Sequence, residues 1–152
     1  RKRTAKLPEA FKDFNIKWGT HTRLDEADDR LEPMAESGCV YIGFGAESAS
    51  PDVLNYMKKG GFILKKGLVD INGYTFPKSM VDAIRNTLSY GIHSNCTWIM
   101  GYPGEKLIDL KTSVAFIQWQ KELVTKGLLP GTTEYKVASE SINASEIDFS
   151  VL

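Results

Sequence analysis

Residues 41–50 read YIGFGAESAS: an apolar run with two glycines, then a glutamate where a strand would be ending. Successive residues of a strand point to opposite faces. Val40, Ile42, Phe44 and Ala46 therefore share one face, apolar enough to pack beneath helices, while Tyr41, Gly43, Gly45 and Glu47 share the other. The first face reads as core. The second is small and polar and closes on a carboxylate. A filled (β/α)8 barrel wants bulky branched residues inside, so this face suggests a lumen with room and hydrogen-bonding groups, as a ligand cavity has. The competing reading is a bulge that shifts the register of the strand.

Working outward, β-type runs also occur at 15–21 (NIKWGTH), 93–100 (HSNCTWIM) and 147–152 (IDFSVL), and helical patterns fill the spaces between. Over 25–37, Ala27, Leu31 and Met34 fall on one face and Gly38 follows as a stop. Over 50–59, Ser50 is placed to cap, Pro51 takes the first helical position, and Gly60 is expected to end the helix. Over 77–90, Pro77 opens a helix striped by Met80, Val81, Ile84 and Leu88, and Gly91 closes it. Over 105–126 the expected apolar stripe is Leu107, Leu110, Val114 and Ile117. Strands alternating with helices predict an α/β fold of parallel βαβ units with right-handed crossovers, sheet order following chain order.

Two stretches depart from this rhythm. Residues 61–76 contain VDI-NG-YTF, two β-type triplets around Asn72-Gly73, and predict an inserted β-hairpin. Residues 128–145 have no period and read as a long connection. The expected organisation is a single α/β domain over 1–152, with the hairpin inserted at 61–76.

Nineteen basic and nineteen acidic residues balance, which gives no electrostatic footprint for nucleic acid or an anionic membrane. No apolar run approaches the roughly eighteen residues of a membrane span, and the basic start lacks the apolar stretch of a secretory signal. Cys39 and Cys96 lie far apart in strand-like segments and read as buried free thiols, which suits a cytoplasmic protein. The chain has no initiator methionine and stops within a strand pattern, so a piece of a longer polypeptide is expected, with edges open to self-association.

Ligands of βα sheets collect at the carboxyl ends of the strands. There the first strand runs into Thr22-Arg23, the second into Ala46-Glu47-Ser48, and the third into GYPGE, residues 101–105. Each has a structural alternative. Glu47 and Arg23 could form a rim ion pair, and Glu105 could serve as a first-turn carboxylate for the following helix. His21 and His93 lack the grouped partners of a metal site, Trp98 and Trp119 read as packing residues, and the lysines of MKKG read as solvated.

These pieces in this order, Trp18 with Arg23, Gly38-Cys39, GAES (45–48), VLNYMKKG (53–60), YGI (90–92) and IMGYPGE (99–105), resemble the radical S-adenosylmethionine superfamily, especially its cobalamin-dependent and methylthiotransferase-like branches. The resemblance covers roughly residues 14–127. It implies a partial (β/α)6 barrel that holds a 4Fe–4S cluster and S-adenosylmethionine at the carboxyl rim and generates a 5′-deoxyadenosyl radical. Within it, Glu47, with Gly45 and Ser48, would bind polar groups of the cofactor, Ile99 and Gly101 would admit the adenine, and Arg23 and Glu105 would complete the rim. Cobalamin is compatible with this branch; the resemblance does not specify the substrate. The family's C-x3-C-x2-C cluster motif is absent, as are the first two βα units. Thr97 stands where glycine is often found, and Lys106 where threonine is usual. The chain is thus expected to be inert alone, contributing cofactor-binding strands to a parent enzyme. A barrel-derived binding or scaffold domain is the second reading.

Overall fold

A computed structural model describes residues 6–24 and 30–127, the last two in backbone only. The chain divides into two compact units, Arg1–Phe116 and Ile117–Leu152. The first contains helices α1 (Leu7–Phe11), α2 (Leu31–Glu36), α3 (Pro51–Tyr56), α4 (Gly60–Ile63) and α5 (Lys78–Ser89), and strands β1 (Trp18–Arg23), β2 (Cys39–Glu47), β3 (Leu68–Ile71), β4 (Tyr74–Pro77) and β5 (His93–Trp98). Helix α6 (Leu107–Gly127) begins in the first unit, and its second half is the described part of the other. The expected strand at 147–152 and the connection at 128–145 lie outside the described residues.

β1, β2 and β5 form a parallel sheet in that order, as chain-order βαβ steps require. β2 is its centre. Ile42, Phe44 and Ala46 are fully buried on the apolar face, each large side chain contributing about 1.5–3 kcal/mol. On α5, Met80, Val81 and Ile84 are buried as the stripe predicts, joined by Ala83 and Thr87. β1 runs over 18–23 rather than 15–21, because residues 11–16 close two tight turns first, Phe14 N–H to Phe11 C=O and Ile16 N–H to Phe14 C=O.

β3 and β4 pair antiparallel around Asn72-Gly73, whose φ values of 53° and 80° are the two positive angles of a type I′ turn. Residues 60–63 ahead of the hairpin are helical rather than part of it. Ser79 Oγ donates to Ile63 C=O at 2.5 Å, tying the start of α5 to α4. Phe76 buries its ring edge-on against Phe116, centroids 5.2 Å apart, and Trp98 lies 5.7 Å from the same ring, a packing role as expected. Trp119 is also buried.

Three expectations need correction. Helix α2 begins at Leu31 with Arg30 as its N-cap, so the expected 25–37 helix does not run unbroken; residues 25–29 themselves lie outside the described residues. Gly60 does not end α3. The helix closes at Lys58, a non-glycine residue at φ 57°, with Lys58 N–H to Asn55 C=O and Lys59 N–H to Leu54 C=O at 2.9 and 2.8 Å, and Gly60 begins α4. The apolar stripe expected on α6 is not its buried face: Leu107 is 68% exposed and Leu110, Val114 and Ile117 are only half-buried, whereas Asp109, Thr112, Ser113 and Phe116 are buried. Asp109 and Ser113 on that face are polar because the turn they meet, Ser48–Ser50, presents hydroxyls and backbone amides that need partners out of water.

Candidate functional site

The second face of the sheet is built in rows. Register sets Gly19 beside Tyr41 and His93, His21 beside Gly43 and Asn95, and Arg23 beside Gly45 and Thr97. Glycines make the rows possible. A Cβ on Gly43 would collide with the His21 ring, and one on Gly19 would press to 3.1 Å from the Tyr41 side chain. His21 stands edge-on to Tyr41, centroids 5.9 Å apart. Gly19, His21, Arg23, Asn95 and Thr97 are exposed, so this face is open and polar, as strand parity predicts.

At the carboxyl end the register shifts between Gly45 and Glu47, and Glu47 pairs with Trp98. The shift is a bulge, but it does not turn the glutamate under the helices. Glu47 takes φ 65°, which lays its carboxylate back over Gly45, Oε1 lying 3.1 Å from where a Cβ on Gly45 would stand. Left-handed backbone costs a non-glycine residue about 1 kcal/mol or more, and here it aims the side chain. Its carbonyl accepts from Ile99 N–H at 2.9 Å, which carries the pairing one step past β5.

Lys59 Nζ donates to Glu47 Oε1 at 2.5 Å; the Glu47 side chain is 18% exposed. Lys59 is exposed, as expected of the MKKG lysines, yet it is anchored in this ion pair. The left-handed end of α3 at Lys58 swings it to the rim. Arg23 holds its guanidinium 4.5 Å from the Phe62 ring centroid, a cation–π contact on an exposed aromatic.

The 101–105 loop is self-closed. Gly101 at φ 74° donates its N–H to Glu105 Oε2 at 2.5 Å, Glu105 N–H donates to Tyr102 C=O, and Gly104 at φ 91° faces the Tyr56 ring. Glu105 thus braces the loop, and its other oxygen, Oε1, is buried without a partner. Ile99 is 44% exposed beside the bare backbone of Gly101. Ser48 points away from the open face: it is fully buried, its hydroxyl 3.2 Å from Ser113 Oγ and accepting from Ser50 N–H.

Of the residues singled out from sequence, Arg23 and Gly45 share a row, Glu47 covers Gly45, and Ile99 bonds to the Glu47 backbone. Glu105 and Gly101 close one loop, and Ser48 supports from behind. Lys59 and Phe62 escaped sequence reasoning because helix ends bring them to the rim, not strand parity. Both cysteines are buried and neither is in a disulfide, and burial pushes the Cys39 thiol up. Among the described residues no three His, Cys, Asp or Glu side chains group as metal ligands, and no helix is long and apolar enough to cross a membrane. A cavity of about 260 Å³ lined by Lys12, Asp13, Asn15, Glu36 and Gly38 lies where β1 and β2 begin, at the opposite strand ends.

A parallel βα sheet with glycines on its open face and charged side chains of both signs at its carboxyl rim is the frame of a βα barrel segment. The profile of the Radical SAM superfamily matches residues 2–117, and the chain belongs to that superfamily. Membership implies S-adenosylmethionine and a 4Fe–4S cluster. The chain is similar to the uncharacterized methyltransferase PH0819 of Pyrococcus horikoshii, 26% identical over 104 residues, which cover 68% of this chain and 20% of that protein. In fold it is similar to the cobalamin-dependent S-adenosylmethionine radical enzyme OxsB with aqua-cobalamin bound, TM-score 0.59 at 20% identity, over 95% of this chain and 20% of that one. OxsB with both aqua-cobalamin and S-adenosylmethionine bound gives a TM-score of 0.58 at the same identity and coverage. The chain spans 20% of the length of each of these proteins.

The two implied groups fare differently against the residues present. The open face suits S-adenosylmethionine in its chemistry: glycine backbone lets the His21 ring and the Glu47 carboxylate lie down on the strand, which leaves exposed polar groups beside a carboxylate suited to ribose hydroxyls or an ammonium. The cluster does not fit, since two separated buried cysteines cannot supply three grouped thiolates.

Proposed function

We propose that this chain supplies S-adenosylmethionine-binding strands of a radical enzyme's barrel, as one segment of a longer polypeptide that carries the cluster thiolates elsewhere. The observation that carries the reading is Glu47, held in a left-handed conformation at a strand end with its carboxylate over Gly45. A charged acceptor there meets the cofactor's ribose hydroxyls or ammonium. Lys59 already offers it a cationic N–H donor at 2.5 Å. Exposed Ile99 beside Gly101 gives a flat apolar shelf for adenine, and Arg23 in the Gly45 row adds positive charge for the cofactor carboxylate. When bound with its cluster, the cofactor supplies radical initiation; these residues bind and orient it. The 152 residues alone are inert for want of thiolates. Cobalamin use in the parent protein extends the reading, supported by the likeness in fold to the cobalamin-dependent enzyme OxsB; no residue of this chain is assigned to it.

The test is Glu47→Gln in the full-length protein, with cluster content matched to wild type and cofactor affinity read by calorimetry. A charge-assisted hydrogen bond contributes about 1.5–3 kcal/mol, so affinity should fall about tenfold to a hundredfold while iron content is unchanged. Equal affinities would reject the ligand role. A full-length protein that binds no S-adenosylmethionine would leave a barrel-derived scaffold as the better reading.

A further inference from the structure

The buried polar face of α6 is not used by the site as described. Its centre is Asp109, 6% exposed. Ser50 Oγ donates to Asp109 Oδ1 at 2.6 Å, and Lys106 N–H donates to Asp109 Oδ2 at 2.8 Å. Ser50 is the N-cap of α3, its hydroxyl also accepting from Val53 N–H. Lys106 immediately precedes α6, so Asp109 reaches back as the acidic half of a capping box. One carboxylate therefore holds two helix N-termini, where negative charge is favoured. Each of those helices follows a rim segment: α3 follows Glu47-Ser48, and α6 follows the 101–105 loop. Ser113 reinforces the first connection, its Oγ accepting from Ala49 N–H at 3.1 Å and meeting Ser48 Oγ.

We infer that Asp109 is a positioning residue for cofactor binding: by gripping Ser50 and Lys106 together it sets the Glu47 turn and the Gly101–Glu105 loop in register with each other. It touches neither the open face nor a ligand and acts through those two turns. The inference rests on the proposed S-adenosylmethionine site. An amide at this position can accept at one end only, so Asp109→Asn keeps one grip and loses the other while preserving shape.

The experiment compares wild type, Asp109→Asn and the core control Ile84→Val in the full-length protein, by hydrogen exchange and by S-adenosylmethionine affinity. In Asp109→Asn, exchange should rise together in peptides covering 46–51 and 101–107, and affinity should fall about tenfold, the scale of one lost charge-assisted hydrogen bond. Ile84→Val, matched for loss of thermal stability by choice of temperature, should show neither change. Ser50→Ala also loses one grip, and with it the α3 cap, and should loosen both segments, 46–51 more than 101–107. An Asp109→Asn affinity within twofold of the control, or exchange confined to one segment, would overturn the inference. A wild type that binds no cofactor would instead reject the site itself, and coupled exchange at both segments would then still register the Asp109 tie.

Discussion

At the scale of single residues, the rim depends on two non-glycine residues at positive φ, Glu47 and Lys58. Glu47 has a chemical reason to be there, since the conformation aims its carboxylate. Lys58 has only a geometric one: it turns the chain so that the next residue, Lys59, reaches Glu47. Glycine would make the same turn without the Cβ penalty. Lys58→Gly should stabilise the fold by about 0.5–1 kcal/mol in urea denaturation, with the Lys59–Glu47 pair retained; a destabilised variant would contradict this account. Cys39 provides a residue-scale pH dependence. Burial holds its thiol above the ordinary value of 9.0, outweighing a backbone hydrogen bond at Tyr41 that acts the other way. The unfolded chain therefore loses this proton at lower pH than the native one. The stability contribution is complete below the unfolded value and declines as pH rises from there through the raised native value. Replacing Cys39 by Ala should flatten the fall in stability as pH rises above 9.0, measured as denaturation midpoints against pH; an unchanged slope would mean other groups carry it.

At the scale of elements, what could be read from sequence was whatever a short-range rule controls. Period-two alternation gave β2 and both its faces, and Asn72-Gly73 gave the hairpin through the two positive φ values its turn demands. That turn makes a further expectation specific. Gly73→Ala forces a Cβ into φ 80° where glycine is unstrained, so it should cost about 1–2 kcal/mol and raise hydrogen exchange across 68–77 while amides of β2 stay protected. Exchange unchanged in the hairpin would show the turn to be adaptable. The failures have a common cause as well. Apolar spacing points to the wrong face of α6 because it assumes a wholly apolar neighbour, and the start of the helix meets the polar Ser48–Ser50 turn. α3 was run on to Gly60 because a lysine in left-handed geometry leaves no compositional mark. The site divides the same way: Glu47, Gly45 and Ile99 follow from strand ends, whereas Lys59 and Asp109 arrive through helix ends whose placement is tertiary.

At the scale of the whole molecule, the interactions differ in how far along the chain they reach and in what draws them together. The hairpin is local. The sheet is assembled by apolar burial on β2 and α5. The α6 seam is neither: Ser48 and Ser113 are 65 residues apart, Ser50 and Asp109 are 59 apart, and their contacts are hydrogen bonds that water satisfies equally well until the turn and helix are already dry. Collapse has little reason to form such contacts early. Ser113→Ala should thus leave the refolding rate nearly unchanged and speed unfolding about fivefold, the kinetic equivalent of one hydrogen bond near 1 kcal/mol. Stopped-flow chevrons would show it in the unfolding limb, and a slowed refolding limb would contradict it. The polar seam is then the last part of the chain to find its place and the first to let go, so the lifetime of the folded rim is governed by the departure of α6 rather than by the strength of the sheet beneath it.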